Sequence, residues 1–535
     1  MEELHADVVL VGGGSAGCVL AARLSEDPAR RVVLIEAGTR ITDPDVDRPE
    51  LWPFIQNRNY DWAYRTTPQT GTAGRVHEWP RGRGVGGSSN LHAMAHMRGD
   101  RRDFARWAAE TGDQRWSWEG LLPAFRKLET ADRADGATAD ADWDAVHGSD
   151  GPLPVLRPTG ESSPLVVDYL AAWQGLGVPG IPDHNHGDMV GATPNSLTIR
   201  DGRRVTASEA YLDPALGRPN LTLLDGAQVH RLVLDGSRVA GVAVTRDGRD
   251  LLVRGDAVIL TAGSIGDPLL LMRSGIGDPA VLAAAGVGTT LASAGVGGNL
   301  HDHLLGAGNL YRARREVPPT RLQLSEAMTY LPADGPAAIA ADRSSGPGPD
   351  VVIGCVVGPS ASEVLAPRLP AIPAGGAYTL LFGVTNPTSR GSLRITGPDL
   401  DDAPVIEPAY LTTAHDRETF RRALELAREV GAAPELADWR AEEILPGPGV
   451  RSVDELDAFI AEAVITHHHP VGTLRMGADE SAPVDAALRF RGLDNLWVVD
   501  GSVIPSITAG PVHAAVLAIA ESFAESFAES SDPAR

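Results

Sequence analysis

Cysteine and lysine are nearly absent from this chain of 535 residues. It carries two cysteines, Cys18 and Cys355, and a single lysine, Lys127. Two cysteines cannot supply a disulfide framework, so a reducing compartment is favoured. We attribute the scarcity of lysine, in a chain rich in Ala, Gly and Asp, to the codon bias of a GC-rich genome.

Long hydrophobic runs are also missing. No stretch of about 18 uninterrupted apolar residues occurs, which argues against a membrane-spanning helix. Residues 1–7 lack the basic region, apolar core and cleavage site of a signal peptide. Together these absences predict a cytoplasmic protein without a membrane partner.

Positive charge is in short supply, since the formal net charge is −23. Nucleic acids and anionic membranes are bound through basic surfaces, so neither is expected as a partner. The apolar content of 43% is ordinary for a globular protein, and 535 residues are too many for one compact core. We therefore expect two or more domains.

The N-terminal region has the pattern of a dinucleotide-binding βαβ unit. A predicted buried strand at 7–11 runs into Gly12, Gly14 and Gly17, a helix follows, and a second strand at 31–36 ends in Glu36. The three glycines allow a tight turn, a close approach to a pyrophosphate and close helix packing. Glu36 can accept hydrogen bonds from a ribose and disfavours a 2′-phosphate, which leaves NAD and FAD open.

A second glycine-dense stretch spans residues 80–92, after a loop at 40–80 that is rich in Pro, Asp and aromatics. Glycine backbones can approach a flat ligand or a phosphate closely, and Ser88, Ser89 and Asn90 add hydrogen-bonding groups. A plain flexible loop is the simpler interpretation of this stretch taken alone.

Three consecutive histidines, His467, His468 and His469, follow a predicted short strand at 464–466 and precede a turn at Pro470. A metal patch, a hydrogen-bonded strand end and a general base are all compatible with this segment. Strand alternation would place only His467 and His469 on one face. No carboxylate or cysteine lies nearby in sequence to complete a metal set.

The chain resembles the glucose–methanol–choline (GMC) oxidoreductase family of FAD enzymes over almost its whole length. Asp267 departs from the family pattern, which usually has Ser or Thr at that position. The matching motifs, in the family's order, are Gly12–Gly17 with Glu36, Arg81–Ser89, Gly263–Gly277, Gly295–His303 and Ser389–Leu393.

This resemblance implies an α/β fold with a discontinuous Rossmann-like FAD-binding domain and an α+β substrate-binding domain that has an antiparallel sheet. Strand-like runs and a helical stretch between about 305 and 480 agree with a second layer of that kind. The expected FAD-binding domain comprises 1–160, 220–305 and 482–535. The expected substrate-binding domain comprises 161–219 and 306–481.

The resemblance also implies the residues that bind FAD. Val229 is expected near the adenine. Leu91 stands at the position where some members attach FAD through a histidine, and His92 follows one residue later. Noncovalent FAD is therefore expected. No metal is expected. The full expected set is Gly12, Gly14, Ser15, Ala16, Gly17, Glu36, Ala37, Trp62, Arg81, Gly87, Ser88, Asn90, His92, Val229, Ala262, Asp500, Gly501, His513 and Ala514.

The family's catalytic positions correspond to His469, which directly precedes Pro470, and to His513. One histidine would act as the base for the alcohol proton and the other as the donor to the developing oxyanion. The expected activity is oxidation of a neutral alcohol by hydride transfer to FAD, with O2 or another electron acceptor. A redox-silent lyase or cyclase that uses the same two histidines is the alternative, and a flavin-binding scaffold is disfavoured.

Overall fold

A computed structural model describes residues 2–132, 141–158, 160, 162–339, 346 and 348–530. Met1 and residues 531–535, which the sequence assigns to the FAD-binding domain, lie outside the described residues. The strands of the two main sheets are β1 (Glu2–Val11), β2 (Val32–Ile35), β3 (Leu221–Leu224), β4 (Ala227–Asp235), β5 (Arg238–Arg246), β6 (Arg249–Leu260), β7 (Leu304–Ala313), β8 (Ser325–Leu331), β9 (Val351–Val356), β10 (Ala377–Val384), β11 (Arg440–Leu445), β12 (Val464–Thr466) and β13 (Leu496–Val498).

Helices cover the sheets and connect the strands. The longer ones are α1 (Ser15–Leu24), α2 (Arg101–Thr111), α3 (Trp118–Leu128), α4 (Pro164–Gly175), α5 (Gly263–Arg273), α6 (Ala414–Gly431), α7 (Val453–Ala463) and α8 (His513–Ser530). Shorter helices are Ala141–Val146, Asp213–Ala215 and Pro279–Ala284. Short strand pairs are Tyr64–Arg65 with Glu78–Trp79, Glu129–Ala131 with Leu153–Val155, Ile199–Arg200 with Arg203–Arg204, Ile276–Gly277 with Leu291–Ala292, and Ser392–Arg394 with Val405–Glu407, while Gly191–Pro194 is a separate strand.

The first sheet has the order β3-β2-β1-β6-β5-β4, and β13 pairs with β6. The pairs β3–β2, β2–β1, β1–β6 and β6–β13 are parallel, and only the β4–β5–β6 part is antiparallel. Leu10 lies at the centre, between Leu34 and Ile259, and all three are fully buried. The apolar runs predicted as buried strands are therefore central strands with helices on their faces, which confirms the Rossmann-like fold.

The second sheet is antiparallel, with the order β8-β9-β10-β7-β11, and β12 pairs with β7. This confirms the expected antiparallel sheet. The strands of the first sheet all fall within 1–160, 220–305 and 482–535, and β7 begins at Leu304, beside the expected boundary. The domain limits themselves stay a prediction.

The carboxyl ends of parallel β1, β2, β6 and β13 meet at one edge of the first sheet, which is where doubly wound folds bind their ligands. Helix α1 begins directly after the loop that follows β1, and α5 begins after β6. The second sheet reaches the same region through β12, which ends at Thr466, just before the three histidines.

Cys18 and Cys355 are buried and unpaired. Cys18 lies in α1 and Cys355 lies in β9 of the other sheet. Among the described residues, no helix is both long enough and apolar enough to cross a bilayer.

Candidate active site

The first glycine motif forms the tight loop that the sequence predicted. Gly12 has a φ of +112°, and a Cβ there would lie 2.6 Å from the carbonyl oxygen of Thr261. A Cβ on Gly17 would lie 1.9 Å from the carbonyl oxygen of Gly12, so only glycine lets α1 start this close to β1. At Gly14, by contrast, a Cβ would have no neighbour closer than 3.9 Å. A Cβ on Gly14 would thus make only ordinary contacts, and the expected approach of a pyrophosphate to Gly14 stays a prediction.

The second glycine stretch packs directly against the first. A Cβ on Gly87 would lie 2.7 Å from the Cα of Gly14. Gly87–Asn90 forms one 3₁₀ turn, in which the Asn90 amide donates to the carbonyls of Val85 and Gly87 at 3.1 and 2.9 Å. Ser88 accepts a hydrogen bond from the backbone of Gly82. The two motifs, far apart in sequence, therefore form one cradle, bounded on the α1 side by Ser15 and Ala16.

Glu36 follows β2 and is held by the first glycine loop. Its carboxylate accepts hydrogen bonds from the backbone of Gly13 at 2.8 Å and of Gly38 at 2.9 Å. Burial raises the pKa of Glu36 to about 7, although these N–H donors oppose the shift. Each carboxylate oxygen keeps a second lone pair, so Glu36 can still accept a ribose hydroxyl.

Val229, expected near the adenine, lies two residues after the start of β4. The backbone N–H of Ala227, the first residue of β4, donates to the carbonyl of Glu36 at 2.9 Å. Val229 thus lies on the segment that adjoins Glu36, and Ala37 is the next residue after Glu36.

Trp62 stacks on Tyr64 with ring centroids 6.0 Å apart and lies 5.0 Å from the Arg83 guanidinium.

His92 and His513 lie together beside the cradle. Their ring centroids are 4.6 Å apart, and His513 Nε2 lies 3.1 Å from the hydroxyl oxygen of Ser15. His92 Nδ1 accepts a hydrogen bond from the backbone of Met94, which leaves its Nε2 protonated. In the described part of the chain, His92 Nε2 and His513 Nδ1 are buried without a partner. Buried polar atoms are almost always hydrogen-bonded, so this region fits a bound polar ligand.

Two carboxyl groups lie at the start of α5, next to Ala262, whose backbone packs against Gly12. Asp500 accepts a hydrogen bond from the backbone of Gly263 at 2.6 Å, and Asp267 accepts one from Ala262 at 2.9 Å. Burial first, and then the charge of Asp500, raises the pKa of Asp267 well above its ordinary value. The residue that departs from the family pattern therefore forms a carboxyl pair with Asp500, next to Gly501.

The histidine segment is not a continuation of strand β12. The strand ends at Thr466, and His468 takes a left-handed backbone with φ of +65°. His467 and His469 nevertheless come together, with ring centroids 4.3 Å apart. The predicted pairing of these two side chains is thus correct, but a turn at His468 causes it, not strand alternation.

His469 is anchored by a residue that the sequence analysis gave no role. The Nδ1 atoms of His303 and His469 lie 3.0 Å apart. His303 Nε2 lies 2.8 Å from the carbonyl oxygen of Thr385, which can only accept, so His303 Nε2 carries a proton. Burial lowers the pKa of His303 to about 4, so the ring is neutral at pH 7 and its Nδ1 is an acceptor. His469 Nδ1 must then donate, which leaves His469 Nε2 unprotonated.

Asp302 fixes the backbone of the same segment. Its carboxylate accepts hydrogen bonds from the His469 backbone at 2.7 Å, the Thr466 hydroxyl at 2.6 Å and the Tyr410 hydroxyl at 2.5 Å. Asp302 and His303 precede β7 in a segment that matched the family but was assigned no function. The signal for their role that the sequence offered was a run of three polar residues directly before a buried strand.

Arg81 contacts the histidine segment. Its guanidinium donates to the carbonyl oxygen of His468 at 2.6 Å, and its backbone N–H donates to Asp61. Arg81 therefore joins the second glycine stretch to the histidine segment. Direct binding of the cofactor by Arg81 stays a prediction.

His469 and His513 were expected to form the catalytic pair. Their contacts differ: His469 bonds to His303, whereas His513 contacts Ser15 and His92. Burial lowers the pKa of His513 to about 3, and burial followed by the neighbouring histidines lowers that of His469 well below its ordinary value. Both rings are thus neutral bases at pH 7. The contacts of His513 place it beside the start of α1 and His92, and both of its expected roles, in catalysis and in cofactor binding, stay predictions.

Two clusters in the described residues combine side chains of metal-ligating type. They are His303, His467 and His469, and His147, Asp183 and His186. In the first cluster, both ring nitrogens of His303 are already used in contacts with the Thr385 carbonyl and with His469. In the second, Asp183 lies 3.0 Å from His147 and 2.9 Å from His186, as in ordinary ion pairs. The expectation of no metal stays a prediction.

Comparison with known proteins decides the family. The N-terminal model of the GMC oxidoreductases matches residues 6–305, and the C-terminal model matches residues 387–520. The chain belongs to the GMC oxidoreductase family. Members of this family bind FAD. Binding of FAD in the cradle built by the two glycine motifs stays a prediction.

Among characterised relatives, pyridoxine 4-oxidase of Microbacterium luteolum is 55% identical over 97% of this chain and 98% of its own length. Human mitochondrial choline dehydrogenase is 36% identical over 96% of this chain and 88% of its own length. The crystal structure of pyridoxine 4-oxidase from Mesorbium loti superimposes with a TM-score of 0.93 at 53% identity, covering 98% of this chain and 99% of that one. The protein is thus an oxidoreductase of a family that oxidises alcohols.

Proposed function

We propose that this protein oxidises the hydroxymethyl group of pyridoxine, or of a closely similar aromatic alcohol, to the aldehyde. The similarity to pyridoxine 4-oxidase over nearly the whole of both chains supports this substrate class. When bound, FAD supplies the acceptor for the hydride that leaves the alcohol carbon. The remaining task of the protein is to remove the hydroxyl proton and to hold the oxygen that results.

His469 is the proposed base, and its contact with His303 is the observation that carries the proposal. The chain from the Thr385 carbonyl through His303 leaves His469 Nε2 without a proton. Burial and the neighbouring histidines lower the pKa of His469, so this nitrogen stays free at neutral pH. A base must be unprotonated and correctly oriented before the substrate arrives, and His303 provides both conditions.

A second polar group must donate to the alcohol oxygen as its charge develops. His467 is the candidate that adjoins the proposed base, because its ring lies 4.3 Å from that of His469 and it lines a cavity with His303. His513 is the candidate that the family resemblance implies. Comparison of His467→Asn with His513→Asn separates the two candidates. Replacing the residue that donates to the alcohol oxygen should lower the rate of flavin reduction at saturating alcohol. Replacing a residue that only contacts the cofactor should instead change how much FAD the protein retains.

The cavity beside His467 favours a neutral substrate. Its other lining residues carry no charge: Leu304, Leu305, Tyr330, Val352, Val384, Ala509, Gly510 and Pro511. A charged group placed there would lose its hydration without gaining a partner, which is strongly unfavourable. A quaternary ammonium alcohol such as choline is therefore disfavoured relative to an uncharged aromatic alcohol.

Anaerobic mixing of the purified holoenzyme with alcohols tests the proposal. Pyridoxine is expected to bleach the flavin absorbance and to yield one equivalent of aldehyde, whereas choline is expected to do so weakly or not at all. A substrate that is consumed without bleaching would favour the redox-silent lyase or cyclase instead.

O2 is the proposed electron acceptor. Oxygen consumption measured with and without an artificial acceptor tests the identity of the acceptor separately.

FAD is proposed to be noncovalent. The position at which some members attach FAD through a histidine is occupied by Leu91, which is buried and has no nucleophilic atom. His92, the next residue, uses its Nδ1 to bind the Met94 backbone. After acid precipitation the flavin should remain in the supernatant, and yellow colour in the pellet would contradict noncovalent binding.

A further inference from the structure

A buried, methionine-rich cluster adjoins the cavity beside His467, and four of its members, Leu305, Tyr330, Val352 and Ala509, line that cavity. Its polar member is Tyr330, which comes from β8 and is 1% exposed. The remaining members are apolar or thioether side chains: Met97, Met189, Leu305, Ala307, Met328, Val352, Val356, Leu381 and Ala509. The lining of the cavity therefore combines two histidines, His303 and His467, with a single phenol and otherwise apolar residues.

The hydroxyl of Tyr330 is poorly satisfied. It lies 3.3 Å from the sulfur of Met97 and 3.6 Å from that of Met328, and thioether sulfurs are weak acceptors. Within the described part of the chain, no N–H or O–H donates to its oxygen. A phenol can donate one hydrogen bond and accept two, so most of this capacity is unused inside the protein. Burying such a group without a strong partner is costly.

The ring of Tyr330 is nevertheless held firmly in place. The ring of His184 meets it edge to face, with centroids 4.8 Å apart. Its backbone pairs with Val352 in β9 and bridges to Val190. Met97 also lies beside Gly510, a lining residue of the cavity, because a Cβ on Gly510 would lie 3.2 Å from Met97 Cβ.

We propose that the Tyr330 hydroxyl is a polar subsite that binds a hydrogen-bonding atom on the substrate's aromatic ring while the alcohol group lies at His469. This proposal rests on the proposed function. It narrows the substrate class to aromatic alcohols with a ring nitrogen or a ring hydroxyl. Methionine sulfurs suit this arrangement because their weak bonds to the phenol are exchanged at little cost when a ligand oxygen or nitrogen arrives.

A site built around a hydrogen bond discriminates strongly against analogues that lack the partner atom, because the buried phenol is then left unpaired. Four probes separate the possible partners. Benzyl alcohol has no ring partner, pyridin-4-ylmethanol has a ring nitrogen, 2-hydroxybenzyl alcohol has a ring hydroxyl, and pyridoxine has both. Anaerobic flavin reduction, followed at several probe concentrations, gives two quantities. The dissociation constant reports on binding, and the limiting rate reports on the chemical step.

In the wild-type holoenzyme, benzyl alcohol should bind about 10-fold more weakly than the better of the two single-partner probes. Tyr330→Phe should weaken binding of pyridoxine and of that probe by about 10-fold, leave benzyl alcohol within about twofold, and change the limiting rates little. The probe affected by the variant identifies whether the ring nitrogen or the ring hydroxyl is bound.

Tyr378→Phe is the matched control. Tyr378 is also fully buried, its hydroxyl has no partner among the described residues, and it lies in the same sheet, but it stacks on Tyr311 and does not line this cavity. It should affect no probe selectively. Equal wild-type affinity for all probes, or an equal loss for all probes in Tyr330→Phe, would overturn the subsite. Absence of flavin reduction by every aromatic alcohol would instead overturn the proposed function, and the subsite with it.

Discussion

The Nδ1 atoms of His303 and His469 lie 3.0 Å apart, although 165 positions separate the two residues in the chain (469 − 303 − 1). His303 is bound on its other nitrogen to the Thr385 carbonyl, so it can only accept from His469. This contact sets which nitrogen of His469 is free for catalysis. His303 is therefore a positioning residue for the proposed base.

Replacing His303 should change the orientation and tautomer of His469 without removing the base. His303→Leu removes the acceptor, and we expect the limiting rate of flavin reduction to fall roughly 10-fold or more with little change in substrate affinity. His303→Gln keeps an amide that can donate to Thr385 and accept from His469, so it should recover most of the rate. Equal rates in the two variants would argue against control of the tautomer.

The pH dependence follows from the pKa of His469, which burial and the neighbouring histidines hold well below the ordinary value. A base with a lowered pKa stays deprotonated as the pH falls, so the rate of flavin reduction should be flat through neutral pH. Activity should decline only below about 6.5, the ordinary value for histidine. Removing a neighbouring ring with His467→Asn should move this decline to higher pH. An acidic limb centred above pH 7 in the wild type would contradict the assignment.

Asp267 provides a test of the carboxyl pair at the start of α5. Its pKa is raised in the folded protein by burial and by Asp500, so its contribution to stability is full below the unfolded pKa and is lost as the pH rises through the folded value. Asp267→Asn keeps the acceptor for the Ala262 backbone and removes the charge. We expect it to raise the melting temperature at pH 8 by roughly 1–2 °C, and by less at pH 5.

An exposed aspartate serves as the control for that experiment. Asp256 has a side chain that is 83% exposed, so Asp256→Asn should shift the melting temperature little at either pH. A destabilised Asp267→Asn at pH 8, with FAD content unchanged, would show that the ionised carboxylate is favourable where it lies.

The parts of the site that the sequence predicted are local. The loop from Gly12 to Gly17 and the acid Glu36 belong to one βαβ unit, in which a short-range pattern specifies both conformation and chemistry. The contact between Gly87 and Gly14 could be inferred only through the family resemblance, because nothing local in either stretch points to the other.

The parts that were missed depend on tertiary contacts. His303 and Asp302 acquire their roles from β7 pairing with β12, which brings them beside His469. The turn at His468 was also missed, because a left-handed backbone at a residue other than glycine has no clear sequence signal. His467 was given no catalytic role, although its ring lies 4.3 Å from that of His469 and it lines a cavity with His303.

Anaerobic flavin reduction by pyridoxine in His469→Ala tests the central claim most directly. The variant should bind FAD like the wild type, as judged by its absorbance spectrum, because the cradle contacts of Gly14, Gly87 and Glu36 are untouched. The limiting rate of bleaching should fall by about 10²- to 10⁴-fold, the usual contribution of a general base. A rate equal to that of the wild type, with FAD fully bound, would contradict the account.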